Sequence, residues 1–183
     1  SLFPEEQQEA IARTLALESD PLVKYLEENA YREVIWRQRV NDAARANMLA
    51  YAIKNDLDNM AGNNNTARLT ITPADDSTIP PTAAVMESDT DLRLRAQQAF
   101  EGLSVAGPTG AYEYHGRSAD GRVADISVFS PSPACETITV LSRESDGTAS
   151  PELLAVVEKA LNADDVRPVG DRVPVQAAEI VPY

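Results

Sequence analysis

VADISVF (residues 123–129), TITVL (137–141) and SPELLAVVEKAL (150–161) decide the fold class. The first two alternate in polarity and are rich in β-branched and aromatic residues, the pattern of half-buried strands. Residues 130–136 alone separate them, with a loop read over 130–134, and so short a connection calls for antiparallel pairing. The third stretch opens with Ser150 as cap, Pro151 at the first helical position and Glu152 behind it, which is a helix start. Leu153, Leu154, Val157 and Leu161 supply its apolar face. After a loop over 164–170, Val173, Val175 and Ala177 alternate as a third strand. Pro174 lacks a ladder donor, so this strand belongs at a sheet edge.

Working outward, Ser88 precedes Asp89 and Asp91, a capped helix start with acids in its first turn and Asp91 in the place of the usual capping-box Glu. Leu92, Ala96, Ala99 and Leu103 form the expected buried face, with Phe100 beside it. Pro108 opens a short helix over 109–115, with Gly116 read as its stop. Residues 87–183 thus read as a small α/β domain of order α-α-β-β-α-β with a three-stranded mixed sheet. Residues 63–86 hold Asp75-Asp76 and Pro80-Pro81 with little periodicity. They read as an extended linker with a candidate short strand at 66–72.

Residues 1–62 read as a helical region. Pro4 with Glu5, Glu6 and Glu9 starts a helix that runs to about residue 17. Asp20-Pro21 starts a second, and no Gly or further Pro occurs before Ile53, so the spacing predicts one long helix over 21–53. Leu22, Leu26, Ala30, Val34, Val40, Ala44, Met48 and Ala52 fall on one arc of its wheel. Glu33, Arg37 and Asn41 interrupt that arc, the first two at the favourable i, i+4 spacing. Tyr31, Ile35, Leu49 and Ile53 lie on the opposite side. One reading is a helix contacted from two sides, with a polar break that sets register. The other is the central helix of an intramolecular bundle. In so short a chain, contacts outside the chain are favoured, and Tyr31, Ile35, Leu49, Ile53, Glu33 and Arg37 are the candidate intersubunit contacts. The fold class is α+β.

The composition narrows function. The chain has 183 residues and a formal charge of −13, with 16 Lys plus Arg against 29 Asp plus Glu. That excess of acid opposes non-specific nucleic-acid binding, which needs phosphate neutralisation. No run approaches the ~20 apolar residues of a membrane-spanning helix. One cysteine and one histidine exclude internal disulfides, Cys-rich zinc sites and His-pair metal motifs. Asp56-Leu57-Asp58 before Gly62 resembles a calcium loop faintly, but Ala67 stands where that loop needs its terminal Glu. His115, beside Tyr114, has no nucleophile motif near it and reads as a packed histidine. Asp89 and Asp91 diverge on a helix and do not make a glycosidase pair. Cys135 next to Glu136 is not an activated thiol. Gly107–Gly110 lacks the lysine and frame of a phosphate loop. Neither a cofactor nor a catalytic set is expected. Arg outnumbers Lys 13 to 3, which suits bidentate pairing at interfaces or reflects codon usage.

A likeness runs through the chain in order. MESDTDLRLRA (86–96), FEGLSVAGPTGAY (100–112), SADGRVAD (118–125), VLSRESDGT (140–148) and DDVRPVGDR (164–172) carry it, with YREV (31–34), RQRVN (37–41) and Leu57-Asp58 upstream. Together they resemble the baseplate J-like family of contractile-tailed bacteriophages. The resemblance implies a virion protein of the tail baseplate wedge that acts in assembly. It also implies rings built with neighbouring wedge proteins and copies of itself, a passage through the host cytoplasm before assembly, and no catalysis. Family chains continue past this length, and the strand-like end at Ile180-Val181 likewise reads as part of a longer protein. Two other classes remain as alternatives: a tail-associated peptidoglycan hydrolase and a small-ligand α/β module.

Overall fold

The computed structural model describes residues 3–104 and 107–181. Ser1, Leu2, Val105, Ala106, Pro182 and Tyr183 lie outside the described residues. The elements are α1 (Glu5–Leu15), α2 (Pro21–Ala46), α3 (Lys54–Gly62), β1 (Thr70–Thr72), β2 (Val85–Met86), α4 (Asp89–Gln98), a 3-10 turn (Glu101–Leu103), α5 (Thr109–Ala119), β3 (Val123–Ser132), β4 (Cys135–Ser142), α6 (Pro151–Leu161) and β5 (Val175–Ala177). This is the α+β order expected, with a helical N-terminal region ahead of an α-α-β-β-α-β succession. Contacts divide the chain into two compact units, Ser1–Met48 and Leu49–Tyr183, and not within 63–86.

The first unit consists of α1 and α2. The Asp20 side chain accepts from the Leu22 backbone N–H at 2.8 Å, with Pro21 at the first helical position, so the cap read from sequence forms. The helix is shorter than expected. It ends at Ala46 rather than Ile53, and the Asn47 side chain donates back to the Ala43 carbonyl. The physical cause lies further along the chain. Arg93 donates to the carbonyls of Leu49 (2.9 Å) and Ala52 (2.7 Å), and Asp89 accepts from the Lys54 backbone N–H. Lys54 takes a left-handed φ of 51°. These partners hold the 49–54 backbone out of helix, and a new helix, α3, starts after the break.

In the second unit β3, β4 and β5 form one sheet in that order, β3–β4 antiparallel and β4–β5 parallel. The strands of the hairpin run further than expected, meeting at Ser132–Cys135 across Pro133 and Ala134, the latter at φ 58°. The inward positions Val123, Ile126, Ile138 and Val140 pack with Tyr112 of α5 and Leu153, Val157 and Leu161 of α6. Each fully buried aliphatic side chain here contributes about 1.5–3 kcal/mol. Gly116 does not stop α5, which continues to Ala119. It lets the helix approach the sheet, because a Cβ there would sit 2.4 Å from Ile126 Cδ1. A second cluster joins Ala52, Leu57 and Ala61 to Leu92 and Ala96. Leu103 does not join it. The helix ends at Gln98, and the following 3-10 turn leaves Leu103 78% exposed.

The 63–86 stretch is not a free linker. It carries two strands, β1 and β2, paired antiparallel through Thr70–Met86 and Thr72–Val85. A further two-way bridge joins Asp75 and Thr82. This hairpin docks on its own unit. A Cβ on Gly121 would lie 2.5 Å from the Thr70 carbonyl oxygen, so glycine permits the contact.

Candidate interaction surface

The 48-residue first unit buries almost nothing. Val23 is its one buried residue among the described residues, and α1 has none. Yet Leu22, Tyr25, Leu26, Tyr31, Val34, Trp36 and Val40 of α2 are 46–66% exposed. Ile11 and Leu15 of α1 are also exposed, and with Leu22 they line an apolar groove. Helices draw most of their stability from packing an apolar face, which makes this exposed apolar surface the candidate interaction surface.

The six residues singled out from sequence do not all fall together. Tyr31 lies on α2 and is 63% exposed; Ile35, one turn on, is half-buried. Glu33 and Arg37 form an exposed ion pair, and with Trp36, Val40 and Asn41 they line a shallow depression. Such a pair contributes little on a solvated helix. Leu49 and Ile53 leave the set as helix positions, because α2 ends before them. Leu49 packs against the Ala52–Leu57–Leu92 cluster, so it is an intramolecular contact; Ile53 caps α3 and is 57% exposed. Ala52, placed on the helical stripe, is 1% exposed in that same cluster. The sequence reading took its apolar contacts from the Tyr31–Ile35 side and its polar ones, Glu33 and Arg37, from the stripe; the broader exposed apolar surface is the stripe, with Leu22, Leu26, Val34 and Val40. The Arg39 guanidinium stacks 5.4 Å from the Trp36 ring centroid, a contact worth about 0.5–1 kcal/mol at an exposed site.

The groups weighed for catalysis are engaged structurally. Glu87, 5% exposed, accepts two hydrogen bonds from Arg95 at 2.7 Å and one from the Leu69 backbone N–H. Arg95, also 5% exposed, donates further to the Ala67 carbonyl and Ser118 Oγ. Arg68 donates to Asp58, Asp89 and the Glu87 carbonyl. Burial works against the Arg68 charge, but its hydrogen bonds to Asp58 and Asp89 outweigh that and raise its pKa. The Lys54 backbone N–H, and then Arg68, hold Asp89 below the usual carboxylate range. Asp91 closes the Ser88 cap and pairs with Arg143. These arginines join α3, the β1–β2 hairpin, α4 and α5, a use that composition did not reveal. Removing one partner of the buried Glu87–Arg95 pair would cost about 3–5 kcal/mol, because it strands the other charge.

The remaining candidates are equally accounted for. His115 Nε2 lies 3.1 Å from the Gly102 carbonyl and its ring meets Tyr114 edge-on. The Tyr112 hydroxyl donates to Asp171; burial and that carboxylate raise its pKa. Cys135 is half-buried at the start of β4. Among the described residues no cluster of three or more His, Cys, Asp or Glu could hold a metal, and no helix is long and apolar enough to cross a membrane.

Comparison with known proteins agrees with the motif order. The family model for the baseplate J-like N-terminal domain matches residues 18–75, and that for the baseplate J-like central domain matches residues 104–177. Together they cover more than two thirds of the chain. Baseplate protein J of Escherichia phage P2 is 78% identical over 183 residues, the whole of this chain and 61% of that protein. The chain therefore spans less than two thirds of the length of that relative. Two domain models matched in succession, N-terminal before central, with this identity along the entire sequence, leave one assignment: the chain belongs to the baseplate J-like family.

Proposed function

We propose that this protein is a structural component of a contractile-tail baseplate wedge, acting in assembly through protein–protein contacts and without catalysis. The observation that carries the reading is the first unit, with one buried side chain among the described residues and a long apolar helix face in solvent. Such a surface suits a subunit that completes its packing against neighbours. The close relative bears the name of a baseplate protein. In this reading the partners are other wedge proteins and further copies of the chain in a ring. Its site is the virion tail, reached from the host cytoplasm, with no membrane or nucleic acid engaged. The acidic charge of −13 keeps free subunits dispersed before they assemble.

The test is co-purification of the 183-residue chain with tail proteins encoded beside it, read by light scattering. A defined complex is expected. Leu26→Glu with Val40→Glu should abolish it while the circular dichroism of the chain stays unchanged, since both positions are solvent-exposed. Tyr31→Glu with Ile35→Glu examines the other face of α2. If none of the neighbouring tail proteins binds, or if all four substitutions leave binding intact, the reading fails.

A further inference from the structure

Residues 47–53, Asn-Met-Leu-Ala-Tyr-Ala-Ile, carry a helical pattern without forming a helix. They hold no Gly or Pro, and Met, Leu and Ala are strong helix formers. At ~100° per residue, Met48 and Ala52 return to the arc of Leu22, Leu26, Ala30 and Val34. Leu49 and Ile53 lead in four-residue steps to Leu57 and Ala61, the positions that α3 buries with Leu92 and Ala96. Two faces of one helical pattern thus run across the break between α2 and α3. The folded chain uses them only in part. Leu49 and Ala52 are packed, but Met48 is 50% and Ile53 57% exposed.

What opposes the helix is a latch on α4. Arg93 Nε and Nη2 donate to the carbonyls of Leu49 and Ala52, and Asp89 accepts from the Lys54 backbone N–H. Lys54 is held at φ 51°, a left-handed conformation that is unfavourable for a residue with a Cβ. Each of these groups has a second partner at hand. In a continuous helix the carbonyls of Leu49 and Ala52 accept from the backbone N–H groups of Ile53 and Asp56, and the Lys54 N–H donates to the Ala50 carbonyl. Asp89 and Arg93, four residues apart on α4, then pair with each other, and Asp89 keeps Arg68. Neither arrangement strands a polar group.

We propose that residues 47–53 are a switch. With the Arg93–Asp89 latch closed, α2 stops at Ala46; with it open, α2 continues through 47–53 to α3. Opening releases Lys54 from its left-handed conformation and lengthens the apolar stripe by Met48 and Ala52. It gives up the three latch hydrogen bonds and the burial of Ala52. A partner that covers the stripe meets more apolar surface in the open state. It therefore binds that state more tightly and shifts the balance toward it. The latch itself stands apart from the proposed assembly role; its coupling to a partner rests on that role.

Backbone Cα chemical shifts at residues 47–54 of the full 183-residue chain test it. Arg93→Ala should move them toward helical values. Lys54→Gly, which accepts a positive φ and disfavours helix, should hold them at non-helical values. Slow exchange of the Ile138 and Val140 amides, both buried in the sheet, verifies that each variant is folded. On saturation with a neighbouring tail protein that co-purifies with the chain, the unmodified protein should gain helical shifts at 47–54. Lys54→Gly should bind that neighbour at least about fivefold more weakly, and this arm decides the question if Arg93→Ala does not fold. Non-helical shifts at 47–54 in folded Arg93→Ala or in the saturated complex, or undiminished binding by Lys54→Gly, would overturn the switch and leave the assembly role standing. A chain that captures no neighbour removes the assembly role instead, and helical shifts in free Arg93→Ala would still support the latch.

Discussion

At the scale of single residues, Asp89 links three elements. One carboxylate oxygen accepts from the Lys54 backbone N–H at the start of α3, and the other accepts from Arg68 at 2.7 Å. The backbone hydrogen bond and then Arg68 depress its pKa in the folded chain. The unfolded chain therefore takes up a proton at a higher pH than the folded one, and acid favours unfolding. The stability Asp89 supplies is present above the ordinary carboxylate pKa of about 3.9 and is lost as pH falls through the depressed folded value. Asp89→Asn keeps an acceptor but removes the charge. The melting temperature of the native chain should exceed that of the variant near neutrality, and the gap should close below about pH 4. Equal gaps at pH 7 and pH 3 would mean that the Asp89 charge does not stabilise this junction. Arg68, which pairs with both Asp89 and Asp58, shows why such groups escape a sequence reading. Its three partners lie 10, 19 and 21 residues away, and no spacing rule relates them.

At the scale of elements, local chemistry and tertiary chemistry separate cleanly. Three helix starts follow from one capping residue each: Asp20, Ser88 and Ser150 accept from backbone N–H groups two or three residues on. The strands β3 and β4 follow from alternation and a short connection. What the sequence concealed depends on distant partners. The end of α2 is set by Arg93 and Asp89, more than thirty residues downstream of the backbone they hold. Of the β1–β2 hairpin, β1 falls inside the candidate strand read at 66–72, but β2 has two residues, too short for periodicity to register, and the docking depends on Gly121 in the turn between α5 and β3. That last contact is testable. Gly121→Ala places a methyl group 2.5 Å from the Thr70 carbonyl oxygen, and backbone cannot yield as a side-chain tip can. The variant should lose about 1–3 kcal/mol in denaturant unfolding. Gly170→Ala meets nothing within 4 Å and should stay within about 0.5 kcal/mol of the parent. Equal behaviour of the two would show that the hairpin does not dock as described.

At the scale of the molecule, the two units differ in what holds them. Residues from Leu49 onward contain both buried clusters and the interior Glu87–Arg95 pair. Among the described residues to Met48, Val23 alone is buried, and solvent-exposed ion pairs such as Glu9–Arg13, Lys24–Glu27, Glu28–Arg32 and Glu33–Arg37 run along α1 and α2. Surface pairs of that kind contribute about 0–1 kcal/mol each, far less than an apolar core supplies. Local opening free energy follows buried contact density, so hydrogen exchange should divide the chain at the same place. In dilute, monomeric protein the amides of α1 and α2 should exchange much faster than those of β4 and α6, whose Ile138, Val140, Leu153 and Val157 are fully buried. Adding whatever covers the stripe, a second copy or a neighbouring tail protein, should slow exchange in α2 and leave β4 and α6 unchanged. Protection of α2 in the isolated monomer equal to that of the sheet would mean that the helix is stable without a partner, and its exposed face would then need no covering subunit.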